Sequence, residues 1–387
     1  METLRELRSP ELLRRLARDL RATAAPPATL MEVCGTHTVA IARHGLRQVL
    51  PDGVRLISGP GCPVCVTPQQ QIDHFIALGQ LDGVTLTTFG DMLRVPGSDR
   101  SLEQARAEGV DARIVYSPMD AVALASRVAD RQVVFFGIGF ETTAPAVALA
   151  ITEAKRQGLT NFSVLCAHKL IPPAMLALLD SEVRVDGFIC PGHVSIIIGS
   201  DAYKPIAARG KPCVVTGFEP ADILRAIQLL LRQVADGRAD VESEYARAVR
   251  PEGNRRAQEL LAQVFRTTGA RWRGLGEIAQ SGLEIAEEYA DFDAARRFQV
   301  NLPPTREPQG CRCGDVLRGI VDPPECPLFG TGCTPATPVG SCMVSAEGAC
   351  QAHYRYLDTP PVRRERAPDP PPVRQERAPD PRSEWRA

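Results

Sequence analysis

The sequence carries almost no excess charge: 45 Lys and Arg stand against 46 Asp and Glu, a net charge of −1. Nothing draws the chain as a whole to nucleic acid or to an anionic membrane. No apolar run approaches the ~18 residues that a membrane span needs. Residues 1–21, with Leu4, Leu7, Leu12, Leu13, Leu16 and Leu20, form a charged amphipathic segment. It lacks the apolar centre of a signal peptide, so the expected location is the cytoplasm, with neither a membrane nor a nucleic acid as partner. Also missing are a G-x-S-x-G elbow and a Walker A loop, and Gly137-Ile138-Gly139 lacks the third glycine of a dinucleotide fingerprint.

What is present is cysteine. Twelve occur in 387 residues, six of them between Cys34 and Cys213 and six crowded between Cys311 and Cys350. In a reducing compartment structural disulfides are disfavoured, so clustered cysteines point to metal ligation or redox work. The length accommodates two or three domains, and the 44% hydrophobic content is that of an ordinary globular chain.

Short apolar runs alternate with helical periodicity after Ala25-Pro26-Pro27, the signature of an α/β fold with a mostly parallel sheet. Candidate strands end near Val33, Ile57, Thr87 and Val115, and a second set near Phe136, Leu165, Ile189 and Val215. The two sets correspond at offsets that drift only from 108 to 100, which suggests a duplication. The expected layout is an N-terminal helix over residues 1–27 and two similar Rossmann-like parallel-sheet domains, 28–130 and 131–240, facing a cleft. A helical and Cys-rich domain over 241–358 follows, with Glu284, Glu287 and Glu288 on a helical segment. Residues 359–387 form a tail in which residues 360–370 recur as 371–381, Gln375 standing where the first copy has Arg364. That Pro- and charge-rich composition cannot bury a core and predicts disorder.

In open parallel sheets functional groups gather beyond the carboxyl ends of the strands. Cys34, Thr36, His37, Cys62, Cys65, Asp91, Glu141, His168, His193 and Glu219 all fall there. Cys62-Pro63-Val64-Cys65 lies between a strand end and Thr67-Pro68-Gln69-Gln70, which predicts a helix capped by Thr67. A helix N-terminus favours the thiolate, the form that attacks disulfides and binds metals. The bland alternative is half of a zinc knuckle or two buried small residues. Cys34-Gly35-Thr36-His37 offers either a Cys/His nucleophile pair or a thiolate metal site, against a merely packed thiol. His193 taken alone is more often a structural histidine, and Asp91 and Glu141 read equally as helix caps. The C-terminal module has too few core residues to fold without a cross-link. Gaps of 14, 6 and 16 residues separate Cys311, Cys326, Cys333 and Cys350, which suits an individually wrapped iron–sulfur cluster better than zinc knuckles. Cys313 is an alternative first ligand, and Cys342 is a spare.

Taken together, Cys34-Gly35-Thr36-His37-Thr38, Gly59-Pro60-Gly61-Cys62-Pro63-Val64-Cys65, Phe89-Gly90-Asp91-Met92-Leu93-Arg94-Val95-Pro96-Gly97-Ser98 and Pro191-Gly192-His193-Val194-Ser195 closely resemble the HypD family of [NiFe]-hydrogenase maturation proteins. Cys326-Pro327-Leu328-Phe329-Gly330 and Pro338-Val339-Gly340-Ser341-Cys342-Met343-Val344-Ser345 extend the likeness over residues 30–357. The resemblance implies a scaffold and redox protein, rather than a conventional turnover enzyme, for assembling the Fe(CN)2CO moiety. It implies Cys34 as the iron thiolate with His37 beside it, and Cys62 and Cys65 as a thiol/disulfide pair near the iron. His193 would face the diatomic ligands, and Glu347 would lie near the redox pair, with Ala346 where the family usually has Ser. Cys311, Cys326, Cys333 and Cys350 would hold a [4Fe-4S] cluster. Implied partners are a HypC-type small chaperone, a HypE-type cyanide donor and a hydrogenase large-subunit precursor. A competing expectation is a free-standing thiol–disulfide oxidoreductase of ferredoxin-dependent type, using Cys62, Cys65 and a cluster alone.

Overall fold

A computed structural model describes residues 5–356 apart from Ala25 and Pro303, so the repeated tail lies outside the described residues. Eight strands follow the expected positions: β1 (Ala28–Glu32), β2 (Val54–Ser58), β3 (Val84–Thr88), β4 (Ala112–Ile114), β5 (Gln132–Gly137), β6 (Phe162–Cys166), β7 (Gly187–Pro191) and β8 (Cys213–Thr216). A ninth, β9 (Val241–Ser243), adds to β8. Most of their residues are buried, so the runs read as continuously apolar rather than alternating, as in parallel sheets covered on both faces.

The strands do not divide at residue 130. One sheet has the order β2-β1-β7-β8-β9 and the other β4-β3-β5-β6, with every neighbouring pair parallel. Pair the repeats as β1 with β5, β2 with β6, β3 with β7 and β4 with β8. The order β2-β1-β7-β8 then becomes β6-β5-β3-β4, which is the second sheet read backwards. Each sheet therefore joins the first half of one repeat to the second half of the other. The expected boundary between 28–130 and 131–240 fails because local strand–turn–helix signals specify strands but not their partners.

The segment after β9 also departs from expectation. Arg255–Val264 is helical, but β10 (Phe265–Trp272) and β11 (Gly276–Ile285) form an antiparallel hairpin within the stretch expected to be helical. Val264, Phe265, Ile285, Tyr289 and Phe292 close one face of the second sheet, so packing outweighs the charge spacing of Glu284, Glu287 and Glu288. The Cys-rich stretch is no detached module: Cys313, Leu317, Cys342 and Met343 share one buried cluster with Met31, Ile57, Cys65 and Leu86. The helix Pro10–Arg21 seats Leu16 and Leu20 in a third apolar cluster with Leu224 and Leu231 of the helix Pro220–Ala235. Among the described residues no helix is long and apolar enough to cross a membrane.

Candidate functional site

The crossed topology places β1 and β7 side by side, with Glu32 opposite Ile189. Cys34 follows β1 and His193 lies at the start of the helix Gly192–Ile198 directly after β7, so these two come from adjacent strands of one sheet rather than from two facing domains. Cys34 is the N-cap of the helix Gly35–Arg43 and is 8% exposed. Burial pushes its thiol up to about 12, and the charges of Glu347 and Glu32 act in the same direction. A thiol in that setting ionises only if a cation takes the proton's place, and the same two carboxylates attract one.

Both carboxylates are fixed. Glu32 is fully buried; its Oε2 accepts from the Cys34 N–H at 3.1 Å and its Oε1 from the Thr38 hydroxyl at 2.5 Å. Burial raises its carboxyl to about 7. Thr36 Oγ1 donates to Glu347 Oε1 at 2.7 Å, and Glu347 lies so close to Gly35 that a Cβ there would fall 2.5 Å from the Glu347 Cβ. The Glu347 N–H is met by Ser345 Oγ at 3.2 Å, while Ala346 is exposed. Glu347 thus sits at the Cys34 helix start.

His37 is buried, its Nε2 bonded to the Gly217 carbonyl at 2.9 Å, and burial lowers it to about 4, so it is neutral. Its Nδ1 has no partner among the described residues. Phe218 packs at a tilt against His37 at 4.8 Å and against His193 at 4.1 Å between ring centroids. His193 itself is exposed.

The Cys62–Cys65 loop is pressed against this centre. The two cysteines form a disulfide. The Gly35 N–H donates to Gly61 O at 2.9 Å and the Gly59 N–H to Glu32 O at 2.8 Å. A side chain on Gly61 would overlap the backbone of Val33 and Cys34. The helix after the loop differs from expectation: a short helix Pro63–Val66 comes first, capped by Cys62, whose sulfur accepts from the Cys65 N–H at 3.2 Å. Thr67 closes that turn through Pro63 O, and the next helix, Gln69–Leu78, follows Pro68 without a side-chain cap.

Six sulfurs line one small closed cavity: Cys311, Cys313, Cys326, Cys333, Cys342 and Cys350, with Phe329, Met343 and Gly340. Among the described residues no three of these groups are already set as metal ligands. The chemistry of the wall nonetheless fits a thiolate-held cluster. The Val339 N–H donates to Cys333 Sγ at 3.3 Å, and Gly340 leaves room that a Cβ would fill 2.7 Å from Cys311 Sγ. Burial raises the Cys311 and Cys333 thiols, a cost that a bound metal cation would relieve. Cys313 and Cys342 lie 2.8 Å apart, sulfur to sulfur; their hydrogen bond pulls Cys313 down and Cys342 up. Ser341 connects them to the disulfide: its Oγ is 3.6 Å from Cys313 Sγ and donates to Cys65 O at 3.1 Å.

Other expected residues lie apart from the centre. Glu141 caps the helix Ile171–Leu179 through the Ile171 N–H at 3.0 Å, and His168 pairs with Cys166 at 3.4 Å. Glu219 binds Arg8 near the surface. Asp91 accepts from Ser345 Oγ at 3.3 Å, beside the Glu347 turn. Sequence reasoning passed over Glu32, Phe218 and Ser341, and treated Cys313 and Cys342 only as reserve ligands. The placing of Glu32 two residues before Cys34 was the one available signal.

Comparison with known proteins bears on the whole chain. The sequence profile of the HypD family, described as "Hydrogenase formation hypA family", matches residues 11–357. The chain is 48% identical over 368 residues to the hydrogenase maturation factor HypD of Rhizobium leguminosarum bv. viciae, covering 92% of this chain and 96% of that one. It is 49% identical over 367 residues to the protein of the same name from Azotobacter vinelandii, covering 92% and 97%. A putative hydrogenase expression/formation protein of Methanocaldococcus jannaschii is 47% identical over 328 residues, covering 84% and 91%.

Proposed function

The chain belongs to the HypD family of hydrogenase-formation proteins, and on that premise we propose that it is a cytoplasmic maturation factor that holds iron while cyanide and carbonyl are attached to it. One observation carries the reading: Cys34, Glu32, Glu347 and the Cys62–Cys65 disulfide converge at neighbouring strand ends, with Gly61 packed on the Cys34 backbone. A free-standing thiol–disulfide oxidoreductase gains no support, since it gives Cys34 and its carboxylates no role and the relatives are named for hydrogenase maturation.

The incoming iron is the cargo. Cys34 gives up its proton and binds the metal as thiolate, a soft anchor for a low-spin centre. Glu32 holds the Cys34 backbone still, and Glu347 places negative charge at the cation. His193, exposed and backed by Phe218, faces the side from which ligands and partners arrive. The disulfide stores oxidising capacity next to the iron. Its reduction breaks one S–S bond, takes up two electrons and, with two protons, leaves two thiols. Cys311, Cys326, Cys333 and Cys350 would hold a [4Fe-4S] cluster, whose chemistry when bound would be one-electron transfer. Cys313 and Cys342 are a close sulfur pair in the same cavity wall, and Ser341 ties Cys313 to the Cys65 carbonyl beside the disulfide. The partners in this reading are a HypC-type chaperone, a HypE-type cyanide donor and a large-subunit precursor.

The test is infrared and visible spectroscopy on protein purified anaerobically together with its partners. Metal-bound cyanide and carbonyl bands with thiolate–iron absorption are expected. Iron–sulfur absorption without those bands would return the oxidoreductase reading, and zinc in place of iron would make the Cys-rich wall a structural staple.

A further inference from the structure

The ring of His193 is backed by another ring rather than held by a hydrogen bond. It is exposed, and among the described residues its imidazole makes no hydrogen bond. Phe218 lies against it at 4.1 Å and also meets His37 at 4.8 Å. A group that must meet small ligands on a metal depends on its orientation, and a misplacement of about 1 Å can cost roughly 100-fold in rate. His193 is therefore only as well aimed as Phe218 is held.

Phe218 is braced by the segment after β9. That strand pairs with β8, and the turn that follows brings the Tyr245 ring edge-on to Phe218, 6.1 Å between centroids. A Cβ on Gly192, the residue before His193, would fall 3.1 Å from Tyr245 Cδ1 and 3.2 Å from Phe218 Cζ. One on Gly217, whose carbonyl holds His37, would fall 2.9 Å from Tyr245 Cδ2. The turn that presents His193 and the carbonyl that fixes His37 thus press on one tyrosine ring. Arg247 pins that ring. Its guanidinium carbon lies 4.5 Å from the Tyr245 centroid, and its Nη2 pairs with the fully buried Asp222. Asp222 belongs to the first turn of the helix Pro220–Ala235, so the aromatic stack is tied to the rigid element that follows Phe218. Glu244, 3.9 Å from Arg247 Nη1, and Arg225, 3.4 Å from Glu244, extend the pair into a network of two cations and two carboxylates.

We infer that Tyr245 and Arg247 are positioning residues that fix the aromatic shelf under His193 and so aim its imidazole toward the iron held at Cys34. Both act through Phe218 and the backbones of Gly192 and Gly217. What His193 meets rests on the maturation reading above; the shelf itself does not.

The test is NMR on full-length protein without iron, its six histidines labelled and told apart by substitution. At 4.1 Å from the Phe218 centroid, the His193 ring protons should be displaced upfield by the phenyl ring current. Tyr245→Leu should lose at least half of that displacement. Arg247→Gln made together with Asp222→Asn, which leaves no lone buried charge, should do the same. Tyr245→Phe should keep it, because the Tyr245 hydroxyl has no hydrogen-bond partner among the described residues. His74 and His168, which pack elsewhere, should not move in any variant. An unmoved His193 in the first two proteins, an equal loss in Tyr245→Phe, or movement of His74 and His168 alongside His193 would each overturn the shelf. In protein purified with its partners, the first two variants should also shift or broaden the infrared cyanide bands. Moved NMR signals with unmoved infrared bands would keep the shelf and overturn the placing of His193 at the diatomic ligands.

Discussion

Replacing Gly61 by Ala tests the contact that couples the Cys62–Cys65 loop to Cys34, the proposed iron thiolate. The added methyl would meet the Val33 carbonyl carbon and the Cys34 N and Cα, each nearer than the 3.0 Å below which Cβ contacts essentially do not occur. All three are backbone atoms of a buried strand end, so no side chain can rotate away. The loop must retreat by roughly 1 Å, which forces repacking at a cost of about 1–3 kcal/mol. The retreat also pulls the 2.9 Å bond from the Gly35 N–H to Gly61 O out of range, worth about 1 kcal/mol more. A loss of about 2–4 kcal/mol in urea unfolding followed by circular dichroism is the expected result. Iron retained after anaerobic co-production with partners should fall as Cys34 and Cys62 separate. The disulfide should still form, since both cysteines belong to the one short turn around Pro63–Val66. Gly83→Ala is the control: its φ of +75° strains any side chain but nothing lies within 4 Å, so it should cost about 1 kcal/mol and spare iron binding. A Gly61→Ala protein as stable as the parent and fully loaded with iron would refute the reasoning.

Cys34→Ala should abolish iron retention, read by metal analysis, yet leave the iron–sulfur absorption intact, because the two sets of thiols are separate; loss of both would mean the cysteines are wrongly divided. Glu141 gives a pH prediction. Burial raises it from 4.5 to about 7, so the folded state holds its proton more tightly, and stability falls as pH rises between those values. Its Oε2 has no partner. Glu141→Gln should therefore flatten the slope and stabilise the protein above pH 7 by about 1–3 kcal/mol, seen as a higher urea midpoint at pH 8 than at pH 5 relative to the parent. Glu32, also raised to about 7, leaves some slope behind.

The elements that sequence reveals best are those fixed by local rules. The eight parallel strands end within about two residues of the expected positions because β-branched runs followed by Gly, Pro or Ser punctuate the chain. That Cys34, His37 and the Cys62–Cys65 loop lie at strand ends was legible from their spacing, whereas the roles of their side chains stayed open between nucleophile, ligand and packed thiol. Which strands pair was not legible: nothing near Glu32 says that Ile189 lies opposite it. The hairpin at 265–285 was lost for a related reason, as Phe265, Ile278 and Ile285 look scattered until the second sheet they cover is in view. The same distance in sequence concealed Ser341, which matters only because it reaches Cys65.

The crossed strands also order events in time. The ribosome releases Cys34 and the Cys62–Cys65 loop early, but β1 gains its neighbour β7 only when residues 187–191 emerge. At about 5–20 residues per second this leaves the thiols without β7 beside them for roughly 6–30 s. Glu347, near the end of the described chain, arrives last of all. A nascent fragment thus lacks the second carboxylate and the exposed histidine, and it offers iron only loose thiols. On the proposed reading, metal capture becomes a property of the finished chain and cannot precede the docking of partners.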